Sequence, residues 1–261
     1  MMSQVQIHPT AVVAPGSEIG ADVLIGPYAV VEEDTVLGNG CQIGAHAVIK
    51  RYSRLGAENL VAEGAVLGGE PQDLTFSGDR SHLQIGDRNV FRESVTVNRA
   101  TEEDAATRIG DNCYLMAYSH VAHECVLGNH VILANNVALA GHVSLSDHSF
   151  LSGGVGVHQF CRVGKMAMIG GNSKVVQDVL PFFLVDGAPA IHRCLNLVGI
   201  SRSSMSQEEL RFLKRAYRLL SSTELRLRQK IEELECLDSP ALKTLVDFIE
   251  SSQRGFCSFS R

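Results

Sequence analysis

The chain has 261 residues, 45% of them apolar, and a formal net charge of −6 with no long block of like charges. This excludes a disordered chain and any non-specific nucleic-acid partner, since the latter requires concentrated positive charge to release counterions from phosphates. The opening MMSQVQIHPT lacks a basic segment followed by an apolar run, and no stretch is apolar enough for a membrane span, so a cytoplasmic protein without integral membrane association is expected.

From Ile7 every sixth residue is aliphatic through Leu67, and the pattern resumes at Ile85, Phe91 and Val97 and again from Ile109 to Val175. A period of six matches neither the 3.6 of a helix nor the alternation of an ordinary strand. It is the hexapeptide repeat of a parallel β-helix, a mainly β fold in which each coil buries its apolar edge by stacking on the next at about 4.8 Å. Four residues after each aliphatic position comes a second inward slot, mostly small, as at Ala11, Ser17, Ala29, Thr35 and Cys41. The Gly, Asn and Asp residues between are expected to supply corners with positive φ.

Two segments break the period, Gly68 to Leu83 and Arg99 to Arg108, and are predicted loops projecting from the prism. The repeat domain is assigned to residues 1–190, ending in an irregular connection through PFFLVDGAPAIHRCLN, and a helical domain to 191–261. There Ser206 and Glu209 form a capping box ahead of an apolar face of Leu210, Leu213, Tyr217 and Leu220, and Ser239-Pro240 opens a last helix carrying Leu242, Leu245 and Phe248. These helices are expected to pack on the solenoid end or on a partner subunit.

The segment YSHVAHECV, from Tyr118 to Val126, holds three metal-donor residues within six positions. The repeat separates them. Cys125 takes the small inward slot after Val121, as do Cys41 and Cys113 after their own aliphatic residues, whereas His120 and His123 point outward. A zinc site of His120, His123 and Cys125 would need the cysteine turned inside out, and no histidine pair has the H-x4-H spacing of a three-histidine site, so no metal is expected. Seven cysteines without a C-x-x-C pair read as reduced thiols.

With three hexads per coil, residues eighteen apart are stacked, which places Gly141 above His123 and Gln159 above Gly141. A base below a side-chain-free backbone N–H leaves room for a reacting carbonyl, a geometry for acyl transfer with a backbone oxyanion donor. Histidine suits the base because its pKa of about 6.5 lets it take and return a proton near neutrality. His120, His142 and His158 crowd the same few coils, which a passive scaffold does not require.

QDL at Asp73, IGDRN at 85–89, ESVT at 93–96, HVAHEC at 120–125, ILANN at 132–136, LAGHV at 139–143, VHQF at 157–160 and IGG at 169–171 together resemble the acyl-ACP–UDP-N-acetylglucosamine O-acyltransferase family, which performs the first step of lipid A synthesis. The resemblance spans nearly the whole chain. It implies a left-handed parallel β-helix assembled as a homotrimer, with clefts between subunits, no cofactor, and an acyl carrier protein and a UDP-sugar as partners. It makes His123 the base that deprotonates the glucosamine 3-hydroxyl for attack on a 3-hydroxyacyl thioester, and Gly141 the oxyanion donor. Asp73 matches a sugar-orienting residue. His120, His142, Gln159, Asn196 and Arg202 match substrate-binding positions, with His158 of VHQF counted beside them, and Gly171 matches the floor of a groove for a long acyl chain.

Several positions depart from the family pattern. Thr75 stands where a lysine is usual, Asn98 for a histidine, Glu124 for an aspartate, Val198 for a nucleotide-contacting glutamate and Ser203 for an arginine. These surround the sugar nucleotide and leave open the 3-amino sugar analogue, which would make the chain an N-acyltransferase; a coenzyme A-dependent sugar acetyltransferase of the same architecture and a non-catalytic scaffold are the other competing readings. Arg162, Lys165 and Lys174 are candidate contacts for an acidic carrier.

Overall fold

A computed structural model describes residues 5–260; the first four residues of the N-terminal segment read above for a secretory signal, and Arg261, lie outside the described residues. Three sheets of eleven, nine and eight strands form the faces of a triangular prism. Most strands are two residues long and pair in parallel with the strand one coil on: Gln6 with Leu24, Val12 with Val30, Glu18 with Val36. The offset of eighteen is the coil length inferred from the repeat. The two predicted loops stretch it, to thirty between Val66 and Thr96 and to twenty-four between Thr96 and His120. Both insertions leave the prism at the corner between the second and third sheets, after Val66–Gly69 and after Thr96–Asn98.

The inward positions form one continuous core in which Leu37, Ile49, Leu67, Leu133 and Leu151 are essentially inaccessible. Cys41, Cys113, Cys125 and Cys161 are buried free thiols in the small slots, and burial pushes the Cys125 thiol up to about 12. Among the described residues no coil lies beneath the first, and Ile7 is 46% exposed where Ile25, one coil later, is 3% exposed.

The corners differ from expectation in one respect. The left-handed position takes the expected Asp, Asn or Gly at Asp22, Asp34, Asn112, Asn136, Gly40 and Gly64, but also Tyr28, His46, Glu124, His142 and Phe160. Glycine in the recurrent Ile-Gly and Leu-Gly pairs serves close approach instead: a Cβ on Gly38 would stand 2.4 Å from the backbone of Gly56 in the next coil. Rings at left-handed corners one coil apart therefore stack, Tyr28 on His46 at 5.1 Å and His130 on His148 at 4.6 Å.

The segment read as an irregular connection is an antiparallel hairpin, Phe183–Gly187 with Ala190–Leu195, whose first strand extends the first sheet from Met168–Ile169. Its turn proline, Pro189, masked the two strands in the sequence. Helices α1 (Leu197–Ser201), α2 (Gln207–Ser221), α3 (Leu227–Glu235) and α4 (Pro240–Glu250) follow. The Ser206–Glu209 capping box and the Ser239 cap are formed. Leu213, Leu220, Leu242 and Leu245 share a second core with Phe182, Phe183 and Leu195, which docks the helices on the last coil. Arg162 is used here, paired with Asp178 at 3.0 Å, donating to Phe248 O and lying over the Phe248 ring. No helix among the described residues is long and apolar enough to cross a membrane.

Candidate active site

His123 and Glu124 form the corner turn after the strand His120–Val121, and the alternation that buries Val121 and Cys125 leaves His123 outside the prism. It is nonetheless only 5% exposed. Its ring lies against Gly141 one coil up, where a Cβ would stand 2.4 Å from Cε1, so any other residue at 141 evicts the imidazole. The ring of His142 meets it edge-on at 5.4 Å, and Phe160 stacks on His142 at 4.5 Å. The Gly141 N–H makes no hydrogen bond among the described residues.

Electrostatics give His123 two faces. Nδ1 is in direct hydrogen-bond contact with Glu124 Oε2, and Nε2 lies 3.9 Å from Asp73 Oδ2 on the first loop. Burial pushes the Glu124 carboxyl up, but the Thr101 N–H, the His123 ring and the Thr101 hydroxyl outweigh it and hold the group below its ordinary value. Asp73 is likewise lowered, first by the Thr75 hydroxyl at 2.7 Å and then by the Thr75 N–H at 2.8 Å. Thr75 thus fixes Asp73 Oδ1 and leaves Oδ2 facing the histidine.

His123, Glu124 and His142 offer donor atoms all within 4.8 Å of one another. Of these, His123 Nδ1 and Glu124 Oε2 are in direct contact as a hydrogen-bonded imidazole–carboxylate pair.

The remaining predicted residues divide by corner. His120 faces outward on the second sheet, its Nδ1 2.8 Å from Thr96 Oγ1, and burial followed by the neighbouring His123 lowers its pKa. His158 and Gln159 are exposed one coil above Gly141, on the same side. Gly171 sits at the opposite edge of that sheet, where a Cβ would meet nothing nearer than Gly153 O at 3.4 Å. Between them runs a register column of Thr96, His120, Ala138, Gly156 and Lys174, and a Cβ at Gly156 would meet nothing within 4 Å. This open lane was missed in the sequence, although counting eighteens from His120 reaches it.

Asn196 and Arg202 are elsewhere. Asn196 caps α1, accepting from Gly199 N at 3.0 Å and donating to Met166 O at 2.8 Å. Both line a cavity of about 670 Å³ between the helices and the corner joining the third sheet to the first, with His130, His148 and Lys165. Within one chain this cavity does not include His123.

Comparison with known proteins bears on the whole arrangement. A model described as bacterial transferase hexapeptide (six repeats) matches residues 16–51 and 106–141, and one described as UDP N-acetylglucosamine O-acyltransferase, domain 2, matches 178–257. An acyl-[acyl-carrier-protein]–UDP-N-acetylglucosamine O-acyltransferase of Alkalilimnicola ehrlichii is 46% identical over 96% of this chain and 98% of its own length. The chain belongs to this acyltransferase family. The Paracidovorax citrulli member is 49% identical over 95% of this chain and 98% of its own. Among solved structures, the UDP-N-acetylglucosamine acyltransferase of Francisella novicida superposes with a TM-score of 0.94 at 34% identity, covering 97% of this chain and 94% of that one. The Campylobacter jejuni enzyme gives 0.92 at 39%, covering 98% and 100%. The second family model spans the hairpin, all four helices and the returning tail, the part of the chain in which no hexad is legible.

Proposed function

We propose that the chain transfers an (R)-3-hydroxyacyl group from acyl carrier protein to the 3-hydroxyl of UDP-N-acetylglucosamine, the first step of lipid A biosynthesis, as a cytoplasmic homotrimer. The reading rests above all on the His123 ring seated against Gly141, whose N–H has no other partner among the described residues. His123 Nε2 takes the proton of the 3-hydroxyl as that oxygen attacks the thioester carbonyl. The Gly141 N–H receives the developing oxyanion. Collapse expels the carrier thiolate, and the imidazolium returns the proton to it, so the base is regenerated without a cofactor. Ionised Glu124 holds the Nδ1–H and offsets the transient charge in a poorly solvated position.

Asp73 and His120 flank the acceptor, with His142, His158 and Gln159 lining the approach. The lane over Ala138 and Gly156 toward Gly171 accommodates a long acyl chain. Asn196 and Arg202 serve a cleft completed by a neighbouring subunit, since their cavity lies at a different corner of the same prism from His123. The test is an assay of 3-hydroxyacyl carrier proteins of graded length with UDP-N-acetylglucosamine and its 3-amino analogue, wild type beside His123→Ala. Turnover of the hydroxyl sugar that disappears in the variant supports the reading; undiminished turnover removes His123 as base.

A further inference from the structure

The second loop, 99–105, touches the site through one residue to which the mechanism above gives no part. Thr101 donates twice to Glu124 Oε1, through its N–H and through its hydroxyl at 2.8 Å. The other oxygen, Oε2, faces His123 Nδ1 and lies 3.6 Å from His142 Nε2. Glutamate carries its carboxylate on two rotatable methylenes, so a carboxylate free at one end would lose its aim at the imidazole. The loop that carries Thr101 is itself clamped. Arg99, 3% exposed, donates to Asp79 O at 2.7 Å and Ser81 Oγ at 2.9 Å and lies over the Phe76 ring, while its own N–H donates to Gly69 O. Asp104 N also donates to Arg80 O at 2.8 Å. The same contacts tie the first loop, which bears Asp73, to the second.

We propose that Thr101 is a positioning residue for the acyl transfer: it fixes Glu124 so that Oε2 holds the His123 Nδ1–H and Nε2 stays turned toward the acceptor hydroxyl, with Arg99 clamping the two loops. This rests on the reading of His123 as base. Both hydrogen-bond donors of Thr101 point at one carboxylate oxygen, leaving the other for the imidazole. As His123 gains a proton in a site nearly closed to water, a carboxylate already held in place need not reorganise.

Steady-state kinetics of the whole enzyme with a 3-hydroxyacyl carrier protein and UDP-N-acetylglucosamine test the proposal. Thr101→Val should lower kcat about tenfold, the size of one lost hydrogen bond to a charged group, with both KM values within about twofold. Thr101→Ser should restore kcat, and Thr101→Val should add less than about twofold in a Glu124→Gln background, because the two groups act in series. Thr101→Ala is the substitute if the valine variant folds poorly. Unchanged kcat in Thr101→Val, an equal loss in Thr101→Ser, or full additivity with Glu124→Gln would overturn it. His123→Ala in the same assay separates the two readings. An inactive His123→Ala beside an unaffected Thr101→Val sinks the positioning role alone, whereas an active His123→Ala sinks both.

Discussion

Two corners of the prism carry histidine pairs one coil apart or nearly so, built from the same six-residue period. At one, His130 and His148 both occupy left-handed corner positions and lie flat on each other, with an interplanar angle of 2°. At the other, His123 precedes the left-handed residue, lies on Gly141 and meets His142 at 90°. A shift of one position within the turn changes which neighbour the ring finds. The first pair is exposed; in the second, His123 is buried beside Glu124 and the two loops, while the His142 side chain stays 38% exposed. The repeat supplies equivalent places, and at one corner the two insertions bring Asp73 against His123 and Thr101 against Glu124.

The contrast breaks if the two corners respond alike to truncation. His123→Ala should lower kcat/KM by about a thousandfold, within the usual range for a general base, while His148→Ala should change the chemical step of a single-turnover assay by less than about twofold. Gly141→Ala is next. Its Cβ enters the space of the His123 ring at a position without positive φ, so a loss of about a hundredfold in kcat with little change in Tm is expected.

A third histidine has yet another environment. His192 is fully buried, accepts from Leu180 N at 3.1 Å on Nε2 and faces Cys257 O on Nδ1, and burial pushes its pKa down to about 4. Because the folded value lies below the unfolded one of about 6.5, its contribution to stability is present above pH 6.5 and fades toward pH 4, by about 3 kcal/mol in all. Urea melts of wild type and His192→Asn across that window check it: the wild type should lose stability with falling pH more steeply than the variant. The smallest effect concerns the lane. Gly171→Met should shift the ratio of kcat/KM between long and short acyl donors about tenfold toward the short, read from competition between two carrier-bound chains.

The solenoid was legible because its signal is repeated: each inward aliphatic residue repeats the last, and the offset of eighteen fixes which residues stack. That arithmetic placed Cys125 in the core and Gly141 over His123. It failed where the period fails. Nothing in RATEED predicts that Thr101 reaches Glu124 or that Arg99 clamps the first loop, because loop conformations are decided by contacts distant in sequence. The hairpin at 183–195 was hidden for a related reason, its strands being recognisable only once Met168–Ile169 offers an edge to pair with. The expectation that Gly, Asn and Asp would supply the positive-φ corners held at Asp22, Asn112 and Gly40 but was too narrow, since His142 and Phe160 take the same conformation, and the glycine of the Leu-Gly pairs answers a packing demand instead, as Gly38 shows.

By itself the sequence determined the period, the inward ladder, the sites of the two insertions and the outward aspect of the histidines, all consequences of which side chains must leave water. Only the tertiary structure decided that both insertions rise beside His123, that Glu124 is held from behind, and that Asn196 and Arg202 stand at another corner. These follow from coil stacking and loop packing, which bring together groups that no local pattern relates.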